Sequence, residues 1–417
     1  MPVQIRGADP DHDKAWPRGP IAGLGRTAML AVVVAVGMGA PTRAEDQQFD
    51  ASRPLEVADQ GAFSIPGRYV EVDKQTVMIG QMYVQYQIPK HRTRPYAVVM
   101  IHGGGQTASN FLTTPDGRRG WADDFVANGY AVYVVDQAGR GRSGFFGDSY
   151  GRTRKPSVAN VEQRFTALER KQLWPQAGLH TQWPGTGAQG DGAFDGFYAS
   201  QVETIGDEAL IEQMNREAGA KLLDRIGPAV LLTHSQAGVI GWSIADERPQ
   251  LVKGILAIEP SGPPIRETVA KGAPDYFEDG VIARPWGVTR GRITFDPPAQ
   301  TPGDLKLVRQ ERADGTGLVR CFLQAEPARQ MPHLRGIPIL ILVSEASYHA
   351  PYDHCTVAYL RQAGVRTDFI RLADHGIRGN GHMMMLEKNS DDIARVMEQW
   401  TARQIANQRG GRKGKRR

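Results

Sequence analysis

Five side chains that can do chemistry stand where apolar runs stop. Ser235 follows the run 229–232 through Thr233 and His234. Glu259 ends the run 254–258, and Glu345 follows the run 337–343 by one residue. His375 and His382 come after the final run, 367–372. A serine hydroxyl is a weak nucleophile until an adjacent base takes its proton. Imidazole has the ordinary pKa best suited to that task near neutrality. A carboxylate behind it fixes the tautomer and steadies the imidazolium. His382 is the favoured base, because it stands in Gly381-His382 ahead of Met383-Met384-Met385-Leu386 and Glu387. His375, nearer the strand end, reads as a solvated or supporting histidine. The acid stays open between Glu259 and Glu345. Both end buried strands that are neighbours, and either carboxylate needs a partner at such a site.

These side chains can meet only by leaving one edge of one sheet. The run 229–232 is continuous and apolar, as a strand covered on both faces must be, and residues 239–247 after the serine are helix-competent. Strand, sharp turn and helix with serine at the turn resembles the nucleophile elbow of α/β-hydrolases, usually G-x-S-x-G. The flanking positions here are Thr233 and Ala237, with Gly238 next. A serine that merely caps a helix would fit the same nonapeptide, so the rest of the chain must decide. The order nucleophile, acid, histidine is that of α/β-hydrolases. A second buried strand, 96–101, runs into His102-Gly103-Gly104-Gly105, where glycine lets backbone N–H groups approach a ligand. An HGGG-type turn there supplies one oxyanion donor and the residue after the nucleophile the other, which assigns Gly104 and Gln236.

The fold class expected is α/β: an α/β-hydrolase fold with a mostly parallel central sheet, helices on both faces, and a cap built from two insertions at about 144–202 and 261–336. Alternating residues at 69–72 and 82–88 predict an antiparallel pair of edge strands. Helices are expected at 121–128, 208–226, 352–363 and 391–405. Asp136, Gly139, Gly141 and Ser143 form a D-x-x-G-x-G-x-S loop after strand 131–136, with a structural role beside the site; without a following Gly-Lys pair it is not a phosphate loop. Trp174, Trp183, Phe194, Phe197 and Tyr198 in the first insertion either pack the cap onto the body or line an acyl or alcohol pocket.

His234-Ser235-Gln236, Ile258-Glu259-Pro260 and Gly379-Asn380-Gly381-His382-Met383-Met384-Met385 resemble the esterase 713-like family of bacterial α/β-hydrolases. The likeness spans roughly residues 101–387. It implies that the acid is Glu259 and the histidine His382. Some members carry cysteines in the oxyanion turn where this chain has Gly104-Gly105, so no disulfide stiffens that turn here.

Composition sets the surroundings. The chain has 417 residues, 41% hydrophobic, enough for one large domain with insertions. Arg18 and Arg26 precede an apolar stretch at 28–40 and the small-x-small site Thr42-Arg43-Ala44. That stretch is too short to span a bilayer comfortably and reads as a signal peptide over 1–44, with an extended leading region or a start further downstream. The product is then exported, periplasmic or secreted, with no stable membrane insertion. Net charge is +5, but residues 409–417 hold six Lys/Arg and no acid. The basic character is a tail, expected to be disordered, and the body 45–408 is slightly acidic. No basic stripe interleaved with aromatics indicates nucleic acid. Cys321 and Cys355 pair or stay free, and no Cys/His spacing marks a metal site. No metal or cofactor is needed. The expected partner is a small-molecule ester, cleaved by a Ser-His-Glu triad through an acyl-enzyme. An acyltransferase or lactonase would use the same triad, a haloalkane dehalogenase or epoxide hydrolase would need Asp at position 235, and a non-catalytic binding protein would not need all these positions filled.

Overall fold

The computed structural model describes the backbone of residues 54–414 and side chains through residue 406. The expected signal peptide and residues 415–417 lie outside the described residues. Eight strands build the central sheet: β1 (Val57–Ile65), β2 (Met82–Pro89), β3 (Ala97–Ile101), β4 (Val132–Asp136), β5 (Ala229–His234), β6 (Val252–Ile258), β7 (Ile339–Val343) and β8 (Thr367–Arg371). Their order is β1-β2-β4-β3-β5-β6-β7-β8. β2 is antiparallel to both β1 and β4, and all later pairs are parallel. In register, Ile101 lies opposite Thr233, Ile258 opposite His234, and Leu342 opposite Ile258. The ends of β3, β5, β6 and β7 therefore open on one edge, where ligands bind in open α/β sheets.

Every residue of β3, β5 and β7 is buried, so the strands read as unbroken apolar runs. Alternation still sorts the side chains. Val98, Met100, Val230, Leu232, Leu256, Ile258, Leu340 and Leu342 join one core layer. There they meet Trp121 and Phe125 of α1 (Trp121–Ala127) and Ile393, Met397 and Trp400 of the terminal helix. Val99, Ile101, Leu231, Ile255, Ile339 and Ile341 face the other layer. That layer holds α3 (Glu208–Ile226), α4 (Ala237–Glu247) and α5 (Asp353–Gln362). Burying one such Val, Leu or Ile stabilises the fold by about 1.5–3 kcal/mol. The start of α3 is fixed by Asp207, whose carboxylate accepts from Ala209 N and Leu210 N at 3.0 Å each, a cap typically worth ~1 kcal/mol.

One expectation is corrected. Residues 69–72 do not pair with 82–88. Arg68–Val72 pairs with Gln75–Ile79 in a separate hairpin, because Asp73 and Lys74 both take positive φ, 49° and 65°, the geometry of a two-residue hairpin turn. The edge position beside β2 goes to β1, whose polar sequence hides alternation with Phe63 and Ile65 turned inward. The terminal helix, α6, runs Ser390–Gly414.

Both insertions are tied down. Trp174, Trp183, Phe194 and Phe197 of the first are each under 5% exposed. They pack the segment onto the body: Trp183 and Phe197, on α2 (Gly192–Ala199), meet edge to face and share a layer with Met383, Met384 and Met385. Trp174 Nε1 donates to Ala346 O at 2.8 Å. In the second, a hairpin of Ile265–Gly272 and Tyr276–Arg284 reaches the first through Gly272 N to Leu173 O, 3.1 Å. Its later residues Ile293, Phe295 and Ala299 join the main core. Cys321 is disulfide-bonded to Cys355 on α5.

Candidate active site

Ser235 sits at φ 53° between β5 and α4. A non-glycine residue there costs on the order of 1–3 kcal/mol and persists only where its surroundings over-determine it. Here Ser235 N donates to Ile258 O at 3.0 Å, and Ser235 O accepts from Gly238 N and Ser261 N at 2.8 Å each. Close approach explains the small neighbours. A Cβ on Gly238 would stand 2.5 Å from Pro260 Cβ, and one on Gly103 would stand 2.9 Å from Ser235 Cβ. The usual glycine two residues before the serine is Thr233. Its space comes from Gly241, where an added Cβ would meet Thr233 Cγ2 at 2.8 Å. Ser235 itself is partly exposed.

Of the two acids, the fold brings Glu259 to His382. Glu259 follows β6 at φ 46°, which turns its side chain toward the β7 end. Its Oε2 accepts from His382 Nδ1 and from Ser347 Oγ, both at 2.6 Å. Its Oε1 accepts from Ser344 N at 2.9 Å and Ser344 Oγ at 2.6 Å. Glu345 instead accepts from Arg378 Nη1 at 2.7 Å and Gly379 N at 2.9 Å, holding the loop that leads to the histidine. His375 is exposed on a short turn. The Gly381-His382 turn is set by buried Glu387, which accepts from Gly381 N at 2.9 Å, Asn380 Nδ2 at 2.7 Å and His180 Nε2 at 2.8 Å. His234 Nε2 donates to His382 O at 3.1 Å.

Burial, with His349 and Arg164 beside it, holds His382 well below the ordinary imidazole range, so it is neutral at pH 7. Burial also pushes the Glu259 carboxyl upward, while His349 and the serine donors pull against that. With Nδ1–H given to Glu259, Nε2 is the accepting nitrogen, and it takes a hydrogen bond from the Tyr348 hydroxyl at 3.1 Å. Burial raises Tyr348 to about 12, opposed in part by Arg164 and by a hydrogen bond from Ser235. Tyr348 thus stands between Ser235 and His382. Among the described residues no direct Ser235–His382 hydrogen bond is formed. Behind them, the His349 ring stacks on His382 at 4.8 Å and 7°, and His349 Nδ1 meets Asp353 Oδ1 at 2.8 Å.

Gly104 and Gln236 lie side by side, with an added Cβ on Gly104 3.7 Å from the Gln236 amide carbon. Gly103 N donates to Gln106 Oε1 and Gly105 N to Thr204 Oγ1. Among the described residues the N–H groups of Gly104 and Gln236 have no acceptor. The Asp136 loop is structural in its contacts: the carboxylate accepts from Ala108 N and Arg142 N at 2.8 Å each. Ser143 Oγ donates to Asp136 O at 2.6 Å.

Ser344, Ser347, Tyr348, His349 and His180 were missed by sequence reasoning. The signal available was indirect: a carboxylate at a buried strand end needs donors, and Ser344 and Ser347 flank the next strand's end. Glu259, His349 and His382 bring ligand-type atoms within 4.8 Å of one another. Glu259 already binds four donors, and each histidine commits Nδ1 to a carboxylate, so these lone pairs are not gathered on one point. Cys321, Cys355 and His354 also cluster, but the disulfide removes the thiolates a metal would need.

Comparison with known proteins agrees with this architecture. Residues 98–396 match the model of the Alpha/beta hydrolase family. A probable secreted lipase, phiG, of Fungal sp. (strain ATCC 74256) is 47% identical over 326 residues, 78% of this chain and 86% of that protein. The solved structure of a bacterial esterase superposes with a TM-score of 0.57 at 23% identity, covering 84% of this chain and 98% of the other. Naproxen esterase from Bacillus subtilis gives a TM-score of 0.37 at 13% identity, covering 83% and 93%. Sheet order, elbow and family match converge: the chain belongs to the alpha/beta hydrolase family.

Proposed function

We propose that the protein is an exported serine hydrolase that cleaves carboxylic esters through Ser235, His382 and Glu259. The observation carrying this reading is the buried Glu259–His382 pair at 2.6 Å beside a strained, partly exposed Ser235. In this reading Ser235 gives its proton to the Tyr348 hydroxyl beside it, as that hydroxyl, hydrogen-bonded to His382 Nε2, gives its own to that nitrogen. Tyr348 stays neutral throughout, as its raised pKa requires. Ser235 Oγ bonds to the ester carbonyl carbon, and the carbonyl oxygen takes the negative charge. Gly104 N–H and Gln236 N–H receive that oxyanion; in a comparable hydrolase one such donor contributes about 3–4 kcal/mol. The C–O bond to the alcohol breaks, and the alcohol leaves with the proton held on His382. Water, deprotonated by the same base, then splits the acyl-enzyme to the free acid and restores Ser235. Glu259 keeps Nδ1 protonated and steadies the imidazolium.

Export is supported by the apolar stretch 28–40 and by the relative named as secreted. Among the described residues no helix is long and apolar enough to cross a membrane. The test is hydrolysis of p-nitrophenyl esters from acetate upward by the purified protein. Turnover that vanishes in Ser235→Ala supports the reading, and turnover that survives the substitution overturns it.

A further inference from the structure

Arg140 lies in the Asp136 loop, at a position where sequence alone indicates only shape. Its side chain is 2% exposed. Among the described residues no carboxylate stands within ion-pair distance of it, whereas Arg142, two residues on, pairs with Asp136 at 2.8 Å. A buried cation without a counter-charge is costly, and burial accordingly drags this guanidinium down to about 9. What it does have is a fork onto the two backbone segments at the serine. Nη1 donates to Gly103 O at 2.9 Å, and Nη2 donates to Gln236 Oε1 at 2.5 Å.

The first contact sets a peptide plane. Gly103 O and Gly104 N–H belong to the same planar, trans peptide group and point in opposite directions. Gly103 O takes a second bond from His102 Nδ1 at 2.8 Å. That nitrogen carries the proton, because His102 Nε2 accepts from Gln137 N at 3.0 Å. With the carbonyl pinned by two donors, the Gly104 N–H is aimed away from Arg140, and glycine's freedom to rotate is removed. The second contact anchors the side chain of the residue whose own N–H is the other donor.

We propose that Arg140 is the positioning residue of the oxyanion site: one buried guanidinium holds Gly104 N–H through the Gly103 carbonyl and Gln236 N–H through the Gln236 side chain. Its charge, pulling on Gly103 O, also polarises the shared peptide and makes the Gly104 N–H a stronger donor. Gly103 adjoins Ser235, so the field acts next to the oxygen where charge develops, in a water-poor site where such terms are large.

This inference rests on the serine-hydrolase reading, and the experiment separates the two. Wild type, Arg140→Met, Arg140→Lys and Ser235→Ala are compared in three ways. These are kcat and KM on p-nitrophenyl acetate, inhibition by an alkyl trifluoromethyl ketone against the plain methyl ketone, and the backbone amide resonances of Gly104 and Gln236. The fluorinated ketone forms a hemiketal oxyanion on serine and so reports the donors directly. Arg140→Met is expected to lose about 10²-fold in kcat, the scale of one lost donor, with KM changed less than about threefold. Affinity for the fluorinated ketone falls by the same factor, affinity for the methyl ketone holds, and both amide resonances move. Arg140→Lys, which keeps the charge but can reach only one acceptor, recovers part of the loss. A rise in KM at unchanged kcat, or amide resonances that stay in place in Arg140→Met, overturns the proposal. Turnover surviving in Ser235→Ala overturns the hydrolase reading instead, and the amide resonances then decide alone whether Arg140 holds the two N–H groups.

Discussion

Replacing Glu259 by Gln keeps the shape of the side chain and reverses the chemistry of one atom. The native carboxylate accepts four hydrogen bonds, from Ser344 N, Ser344 Oγ, Ser347 Oγ and His382 Nδ1. A glutamine has one accepting oxygen. Ser344 N is a backbone donor that cannot reverse, so the amide oxygen takes the Ser344 side and the NH2 faces His382. Ser347 can turn its hydroxyl to accept; the imidazole must answer by moving its proton to Nε2. That is the wrong tautomer, because the nitrogen that should receive a proton already has one, and the charge opposite the imidazolium is gone as well. The same swap in a Ser-His-Asp protease lowers kcat by about 10⁴, or about 5 kcal/mol of barrier. Glu345→Gln is the control. It keeps an oxygen for Gly379 N and loses an ion pair with Arg378, whose side chain is 67% exposed, worth at most ~1 kcal/mol. The assay is kcat and KM on a p-nitrophenyl ester for both variants, with thermal melting to show that each is folded. The expected result is a fall of about 10⁴ for Glu259→Gln and less than about threefold for Glu345→Gln. A Glu259→Gln enzyme with more than a tenth of native kcat refutes the tautomer argument, and a deep loss in Glu345→Gln moves the acid there.

Tyr348→Phe removes the hydroxyl between Ser235 and His382; a relay predicts about 10²-fold loss of kcat, the lower range for general acid–base help, and an unchanged or faster rate shows direct transfer. Catalysis needs neutral His382, which burial holds well below the ordinary range, so the acid limb of kcat/KM should fall at a pH below ~6.5; a limb at or above that value contradicts the assignment. Stability has two opposing parts. His102 and His349, both lowered to about 4 by burial, stabilise fully above the unfolded value of ~6.5 and lose up to about 3 kcal/mol each as pH falls to 4. His180 is raised to about 9, since hydrogen bonds to Glu169 and Glu387 outweigh its burial; its contribution is complete below ~6.5 and lost as pH rises toward 9. Melting temperature should therefore peak near pH ~6.5, and a melting curve flat from pH 4 to 7 is the contrary outcome. Gly241→Ala puts a methyl 2.8 Å from Thr233 Cγ2 and should cost about 1–3 kcal/mol, recovered in the Thr233→Gly, Gly241→Ala double variant; no recovery means that the two do not share the space.

How far the sequence carries the fold depends on what each strand buries. β3, β5 and β7 are covered on both faces, so burial alone wrote them as unbroken apolar runs. β1 has one face, with Phe63 and Ile65, on the core and one open, and its Gln60, Gly61 and Ser64 conceal the period of two. The elbow was legible because a strained serine demands small neighbours. Its apparent flaw, Thr233, was not resolvable locally, since the compensating Gly241 lies eight residues on, about one turn into α4, and matters only once α4 lies against β5.

The acid is the sharper case. Glu259 and Glu345 end adjacent parallel strands, and composition cannot rank two carboxylates at equivalent edges. The ranking comes from register and one dihedral angle. Ile258 pairs with Leu342, so Glu259 is level with the start of the 344–347 turn, and φ 46° swings its side chain across to it. There Ser344 and Ser347 supply three donors, enough to keep a fully buried carboxylate in place beside His382. Glu345 emerges on the other side of that turn, where a solvent-facing guanidinium and the Gly379 amide claim it. Each acid has found the partner a strand-end carboxylate requires. Only one of those partners is an imidazole, and that choice depends on residues of two strands that are brought together by folding and are more than eighty positions apart in the chain.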